Sequence, residues 1–138
     1  VQGESAADRL RRTMTLALSP TFATQRSHDF DALIQARLTA PQDPQQWAWQ
    51  AEAAVPFDAS GAASGLACPT LIVAGTADRV LPWTNSILLF RLIPRSRLLL
   101  FRGGNHLCFL ERADEFNRAV LEFLDAPADR PATVREVG

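Results

Sequence analysis

Residues 69–82 read Pro-Thr-Leu-Ile-Val-Ala-Gly-Thr-Ala-Asp-Arg-Val-Leu-Pro, a short apolar run followed by a glycine and an acidic loop. A continuous apolar run of this length is typical of a strand buried on both faces of a parallel sheet, and we place that strand at residues 70–74. A second apolar run predicts a strand at residues 97–101, and Gly103 and Gly104 predict a turn directly after it. This half of the chain therefore contains two candidate strands.

Helical patterns lie between and after the two predicted strands. Pro82 suits the first turn of a helix, and Pro94 ends that helix because proline lacks the amide hydrogen that a helix needs. A second helix is predicted over residues 113–124, where apolar residues recur at the spacing of one helix face. The order strand, helix, strand, helix predicts an α/β fold with a short parallel sheet flanked by helices. The polar residues 126–138, with two prolines, predict a flexible tail.

Residues 1–66 show no strand-like alternation and predict helices instead. Within them, residues 58–65 are rich in serine and glycine and predict a flexible connector. Three large aromatic side chains are interpreted as core residues, with a lining of a ligand pocket as the alternative. They are Trp47, Trp49 and Phe57. The helices are expected at residues 8–18, 29–38 and 45–54.

The composition excludes several classes of protein. Hydrophobic residues make up 47% of the 138 residues, charged residues make up 21%, and the formal net charge is −1, as in an ordinary globular domain. The 14 basic residues form no block, which argues against nucleic acid or an anionic membrane surface as a partner. No apolar run approaches the roughly 20 residues that a membrane-spanning helix needs.

The two cysteines, Cys68 and Cys108, are too few for a disulfide framework and do not have the spacing of metal ligands. Both have apolar neighbours and are interpreted as small core residues. We therefore expect no metal and no cofactor, and a reducing cytoplasm as the location of the chain.

Two side chains that can carry chemistry follow the predicted strands. Asp78 comes just after the first strand and His106 just after the second. Because a right-handed crossover sets the two parallel strands side by side, both loops open onto the edge of the sheet where ligands bind. A carboxylate that accepts a hydrogen bond from one imidazole nitrogen leaves the other nitrogen free to act as a general base. Each residue alone is also explained structurally, Asp78 as a turn residue and His106 as a helix cap.

The sequence pattern in and around these loops is more specific than the two residues alone. It consists of Gly-Thr-Ala-Asp at 75–78, Ile-Pro at 93–94, Gly-Gly-Asn-His at 103–106 and Phe-Asn-Arg-Ala-Val-Leu-Glu-Phe-Leu at 116–124. Over residues 67–124 the chain resembles the carboxyl-terminal segment of the α/β-hydrolase superfamily. In that family the catalytic residues run in the order Ser, Asp, His, with the acid after a late strand and the histidine after the last one.

The resemblance implies a role and a domain for each part of the chain. Asp78 becomes the acid and His106 the base of a hydrolytic triad. Residues 1–66 become a helical cap-like segment, residues 67–125 the carboxyl-terminal hydrolase segment with both loops, and residues 126–138 the tail. Trp83 and Phe109, close to the acid and the base in sequence, become candidate walls of a substrate pocket. The implied reaction is cleavage of an ester, a lactone or a related acyl bond in a small molecule.

One departure from the family pattern concerns the nucleophile. The motif Gly-x-Ser-x-Gly occurs nowhere in the chain, and Gly-Ala-Ala-Ser-Gly at 61–65 has its serine one place late. Ser60 and Ser64 precede a strand rather than follow one, so we reject both as nucleophiles. Cys108 lies in an apolar context and is a poor alternative. We expect an amino-terminally truncated hydrolase that keeps its acid and base, lacks its serine and is inactive alone.

Three further interpretations concern partners and function. A two-stranded parallel sheet leaves strand edges unpaired, which predicts self-association of the chain. The alternative function is a non-catalytic interaction or structural module that keeps the hydrolase fold as a scaffold. A split enzyme, whose serine lies on a second polypeptide, is the third possibility.

Overall fold

The computed structural model describes residues 3–127 and 131–138 of the chain. It contains three strands and eight helices within those residues. The strands are β1 (Thr70–Gly75), β2 (Ser96–Phe101) and β3 (Thr133–Val137). The helices are α1 (Ala6–Ala17), α2 (Pro20–Gln25), α3 (Ser27–Thr39), α4 (Pro44–Ala54), α5 (Ser60–Ala63), α6 (Thr84–Leu92), α7 (Cys108–Glu111) and α8 (Ala113–Leu124).

The sheet is parallel throughout and has the strand order β1-β2-β3. Thr70 pairs with Ser96 and Gly75 pairs with Phe101, so β1 and β2 end level with each other. All residues of β2 except Arg97 are buried, because β2 has a strand on each side and helices on its faces. The predicted α/β class and the parallel sheet flanked by helices are confirmed.

The structure differs from the sequence prediction at the carboxyl-terminal end. Residues 133–137 form β3, which pairs with β2 in register from Arg97 to Phe101, where we expected a flexible tail. Part of that expected tail, residues 128–130, lies outside the described residues. The sheet thus has three strands rather than the two we expected, and β3 covers one edge of β2. The main-chain bonds of this pairing outweigh the polar composition of the segment.

The helices α1, α2 and α3 pack around a core of their own. Its buried members are Met14, Leu18, Phe22, Phe30 and Ile34. Helix starts are encoded locally, since Ser5 and Ser19 each cap the helix that follows by accepting a backbone amide hydrogen bond. The helical nature of this half is therefore confirmed.

The predicted core role of the aromatic residues in the first half is wrong. Trp47 and Trp49 on α4 are 59% and 60% exposed, and Phe57 is 76% exposed. Helix α4 buries no residue at all, because no other described element covers its apolar side chains. The expected connector at 58–65 also differs, since it contains the short helix α5 with a buried Ala63.

Among the described residues, no helix is both long and apolar enough to cross a bilayer.

Candidate active site

The loop after β1 and the loop after β2 are held together by their backbones. The amide of Ala77 donates to the carbonyl oxygen of Gly104 at 2.9 Å, and the amide of Gly103 donates to Thr76 Oγ1 at 2.8 Å. Gly75 lies so close to the second loop that a Cβ on it would stand 2.2 Å from the Gly104 oxygen. A glycine at position 75 is thus required for the two loops to meet.

The close approach of the loops brings the two predicted catalytic residues into contact. His106 Nδ1 lies 2.9 Å from Asp78 Oδ2, with the two side chains 35% and 10% exposed. Since the carboxylate can only accept, Nδ1 carries the hydrogen of this bond, and Nε2 of the neutral ring keeps its lone pair. We call this pair the dyad.

The loop backbone fixes the carboxylate of Asp78. Its Oδ1 accepts hydrogen bonds from the amides of Val80 at 2.7 Å and Leu81 at 2.9 Å. Burial acts to raise the pKa of Asp78, but these two amides and His106 together lower the pKa below its ordinary value. Asp78 is therefore a charged acceptor that keeps the imidazole in one orientation.

A cavity of about 260 Å³ opens beside the dyad. Trp83 and Phe109, the two candidate pocket residues, both line this cavity together with Asp78 and His106. Most of the other lining side chains are apolar, and residues 73–75 of β1 form part of the wall. The strand that contributes this wall, β1, is an edge strand of the described sheet.

Of the nucleophile candidates weighed from the sequence, Cys108 lines the dyad cavity. Cys108 is buried as expected, and burial together with the nearby Glu111 carboxylate raises the pKa of its thiol, so the thiol stays protonated at neutral pH. Neither Ser60 nor Ser64 lines the dyad cavity. Cys68 is exposed, so its predicted role as a core residue is wrong. It precedes β1 and therefore lies outside the packed sheet.

Ser86 lines the dyad cavity and was missed from the sequence. It is the third residue of α6, within the first turn of that helix, whereas the serine of Gly-x-Ser-x-Gly occupies a sharp turn after a strand. Asn105, the buried residue before His106, was also missed, and only its position beside the histidine could have drawn attention to it.

Three sequence relatives each match between 41% and 54% of the chain. It is 46% identical over 57 residues to serine hydrolase BPHL of Mus musculus, covering 41% of this chain and 20% of the relative. It is 43% identical over 74 residues to polyketide synthase ThaQ of Burkholderia thailandensis, covering 54% of this chain and 4% of that protein. It is also 45% identical over 56 residues, 41% of this chain and 20% of the relative, to 2-hydroxy-6-oxononadienedioate/2-hydroxy-6-oxononatrienedioate hydrolase 2 of Pseudomonas putida. No family model matches the sequence.

Solved structures extend the likeness to nearly the whole chain. The meta-cleavage product hydrolase CumD of Pseudomonas fluorescens IP01 aligns with 89% of this chain and 47% of its own, at a TM-score of 0.68 and 26% identity. The chain thus resembles members of the α/β-hydrolase superfamily in sequence and in fold. Est816, described as an N-acyl homoserine lactone degrading enzyme, aligns with 87% of this chain and 48% of its own at a TM-score of 0.65 and 26% identity.

The α/β-hydrolase fold is present here in part. The chain spans less than half the length of these two solved hydrolases and at most a fifth of the three sequence relatives above. An activity, a substrate or a partner like those of the whole proteins is therefore proposed for this chain and is not shown by the likeness.

Proposed function

We propose that this chain supplies the acid and the base of a serine hydrolase that cleaves an ester, lactone or related acyl bond in a small molecule. The dyad carries the proposal, since its Nδ1 to Oδ2 distance of 2.9 Å leaves Nε2 of His106 free for proton transfer. The serine is proposed to come from outside the 138 residues, because Gly-x-Ser-x-Gly does not occur among them.

In the proposed reaction, Nε2 of His106 takes the proton of a serine hydroxyl as the serine oxygen bonds to the substrate carbonyl carbon. The imidazolium that forms is stabilised by the Asp78 carboxylate, which remains ionised. The ring then gives the proton to the leaving group as its bond to the acyl carbon breaks. A water molecule repeats the sequence on the acyl-enzyme and releases the acid, with His106 again the base and then the acid.

The shape of the site indicates where that serine would enter. Residues 73–75 of the edge strand β1 line the dyad cavity. An added strand at this edge would end level with the dyad loops, and a residue just after that strand would reach the cavity. The relatives suggest the substrate class, because those described above include a serine hydrolase and a lactone-degrading enzyme.

A fluorophosphonate serine probe followed by intact-protein mass spectrometry tests this proposal. The chain is purified natively with whatever accompanies it, and masses are recorded before and after the probe. We expect an adduct on an accompanying chain or on a longer form, and none within residues 1–138. An adduct at Ser86 or at another serine of these residues would contradict the proposed origin of the nucleophile.

The complementary variant is Asp78→Ala. If the chain alone lacks a nucleophile, its hydrolysis of a p-nitrophenyl ester is negligible, and the substitution leaves that rate unchanged. A clear esterase rate that Asp78→Ala abolishes would show that the chain is an active enzyme by itself.

A second candidate function is a non-catalytic interaction module. The exposure of Trp47, Trp49 and Phe57 favours it, because exposed aromatic side chains of this size are enriched at protein interfaces. The module predicts a partner that binds unchanged when Asp78 is replaced and no probe adduct in any associated chain.

Self-association is proposed through the unpaired edge of β1. The strand is apolar and its outer main-chain groups have no strand partner among the described residues, which makes it a template for a second chain. Sedimentation velocity is the test. A concentration-independent monomer would contradict this proposal.

A further inference from the structure

The end of α1 and the start of α2 meet both loops of the dyad. We call residues 15–19 the α1–α2 corner. Arg79, next to the acid, donates a guanidinium hydrogen bond to the carbonyl oxygen of Thr15. Leu107, next to the base, donates its amide to the carbonyl oxygen of Ala17 at 2.9 Å. These carbonyls belong to the last turn of α1, where helical partners run out and a cation is favoured.

Glu111 makes a second link between the α1–α2 corner and the histidine loop, residues 103–107. Its Oε1 accepts a hydrogen bond from the amide of Ser19. Its Oε2 accepts from the amide of Asn105, directly before His106, at 3.4 Å. One carboxylate thus bridges two backbone amides, those of Ser19 and Asn105, that are far apart in the sequence.

Packing supports the same connection. The side chain of Leu107 lies against the core of α1, α2 and α3, which includes Leu18 of the corner. On the opposite side of the histidine loop, the ring of His106 meets Asp78. The loop is therefore held between the helical half and the acid loop, with His106 at the contact.

We infer that Glu111 is a positioning residue, which ties the histidine loop to the α1–α2 corner and so keeps His106 facing Asp78. The inference rests on the proposed roles of the dyad. Arg79 is the matching link on the acid side, so one corner sets the relative placement of both loops. Glu111 does not touch the reacting atoms and acts through the backbone of Asn105.

The charges around Glu111 are consistent with an acceptor role. Glu111, Arg26 and Arg112 line a second cavity of about 280 Å³ on the far side of the histidine loop, which contains neither Asp78 nor His106. The two arginines bond to other carboxylates, Arg26 to Asp29 and Arg112 to Glu115. The Glu111 carboxylate instead accepts hydrogen bonds from the backbone amides of Ser19 and Asn105.

Hydrogen exchange and nitrogen-15 NMR of the 138-residue chain test the inference without substrate. In Glu111→Gln one acceptor oxygen becomes an NH₂ donor, so one of the Ser19 and Asn105 amides loses its partner. Loss of one such bond predicts exchange about tenfold faster at that amide. We also expect some of the His106 rings to move their hydrogen from Nδ1 to Nε2.

Glu122→Gln is the matched control, because the Glu122 carboxylate bonds to the exposed Arg135 side chain and, among the described residues, to none of the histidine loop. It should leave both readouts at wild-type values. Glu111→Asp keeps the charge but has a shorter side chain. Like Glu111→Gln, it should speed amide exchange at Ser19 or Asn105 and move hydrogen toward Nε2 of His106. It tests the inference if Glu111→Gln does not fold. Unchanged exchange at Ser19 and Asn105 with an unchanged His106 tautomer would overturn the inference. The result is independent of the fluorophosphonate experiment, so failure of one leaves the other interpretable.

Discussion

The two halves of the chain bury their apolar residues to very different degrees. In β2 the four residues from Leu98 to Phe101 are each at most 3% exposed, because strands and helices cover them on every side. In α4 no residue is buried, and its two tryptophans are more than half exposed. Apolar content alone therefore does not make a core, since an element also needs a neighbour to pack against.

The same contrast separates the dyad from the first half. Asp78 and His106 follow the well-covered strands, and the loop backbones hold each other by direct hydrogen bonds. The first half contacts the dyad loops through the α1–α2 corner, whereas no residue of α4 is among the described residues that line the dyad cavity. We expect substitutions in the sheet half to be the more damaging, and three predictions follow in order of expected effect.

Phe101→Ala should give the largest loss of stability. Phe101 is 0% exposed, and its removal leaves a cavity at the centre of the sheet. Large-to-small substitutions of this kind cost about 3–5 kcal/mol of the free energy of unfolding. Urea denaturation followed by circular dichroism measures it. Phe57→Ala is the matched control in the first half, and a loss there above about 0.5 kcal/mol would show that Phe57 has a packing partner.

Gly75→Ala should have the next largest effect. The new Cβ would lie 2.2 Å from the Gly104 oxygen and 2.5 Å from the Asn105 oxygen, and both are backbone atoms. We expect a loss of about 1–3 kcal/mol, as in other overpacked sites, with separation of the dyad loops. Gly61→Ala is the control, because no atom lies within 4 Å of the added Cβ and alanine favours the helix there. Equal effects at both glycines would contradict the close approach of the loops.

Asp78→Asn should have a smaller effect that depends on pH. The folded pKa of Asp78 is lowered, so its carboxylate stabilises the fold fully above the unfolded value of about 3.9. That contribution is lost as the pH falls through the folded pKa. The difference in free energy of unfolding between wild type and variant should therefore shrink below about pH 4. A constant difference from pH 7 to pH 3, in the same urea titrations, would contradict the lowered pKa.

The strands and the dyad could be predicted because their signals are local. Residues 70–74 lie between Pro69 and Gly75, and residues 97–101 contain the apolar run 98–101. The structure extends each strand by one residue, to Thr70–Gly75 and Ser96–Phe101. Asp78 and His106 follow directly, and parallel pairing then places them at one edge of the sheet.

The remaining features depend on which segments meet in three dimensions. The segment Thr-Val-Arg-Glu-Val at 133–137 has three β-branched residues, but only its pairing with β2 makes it a strand. The exposure of Trp47 follows from the absence of a covering element among the described residues, which helical spacing cannot indicate. Glu111 bonds to Ser19 across 92 positions, and no sequence pattern joins the two.

The tautomer of His106 tests the central claim most directly. Long-range nitrogen-15 NMR reports which imidazole nitrogen carries the hydrogen in the neutral ring, and His28, with a side chain 97% exposed, is an internal reference. The hydrogen bond to Asp78 predicts hydrogen on Nδ1 of His106 and a free Nε2, a preference that Asp78→Asn should remove. A His106 ring protonated on Nε2, and unaffected by Asp78→Asn, would contradict the dyad and with it the proposed acid–base function.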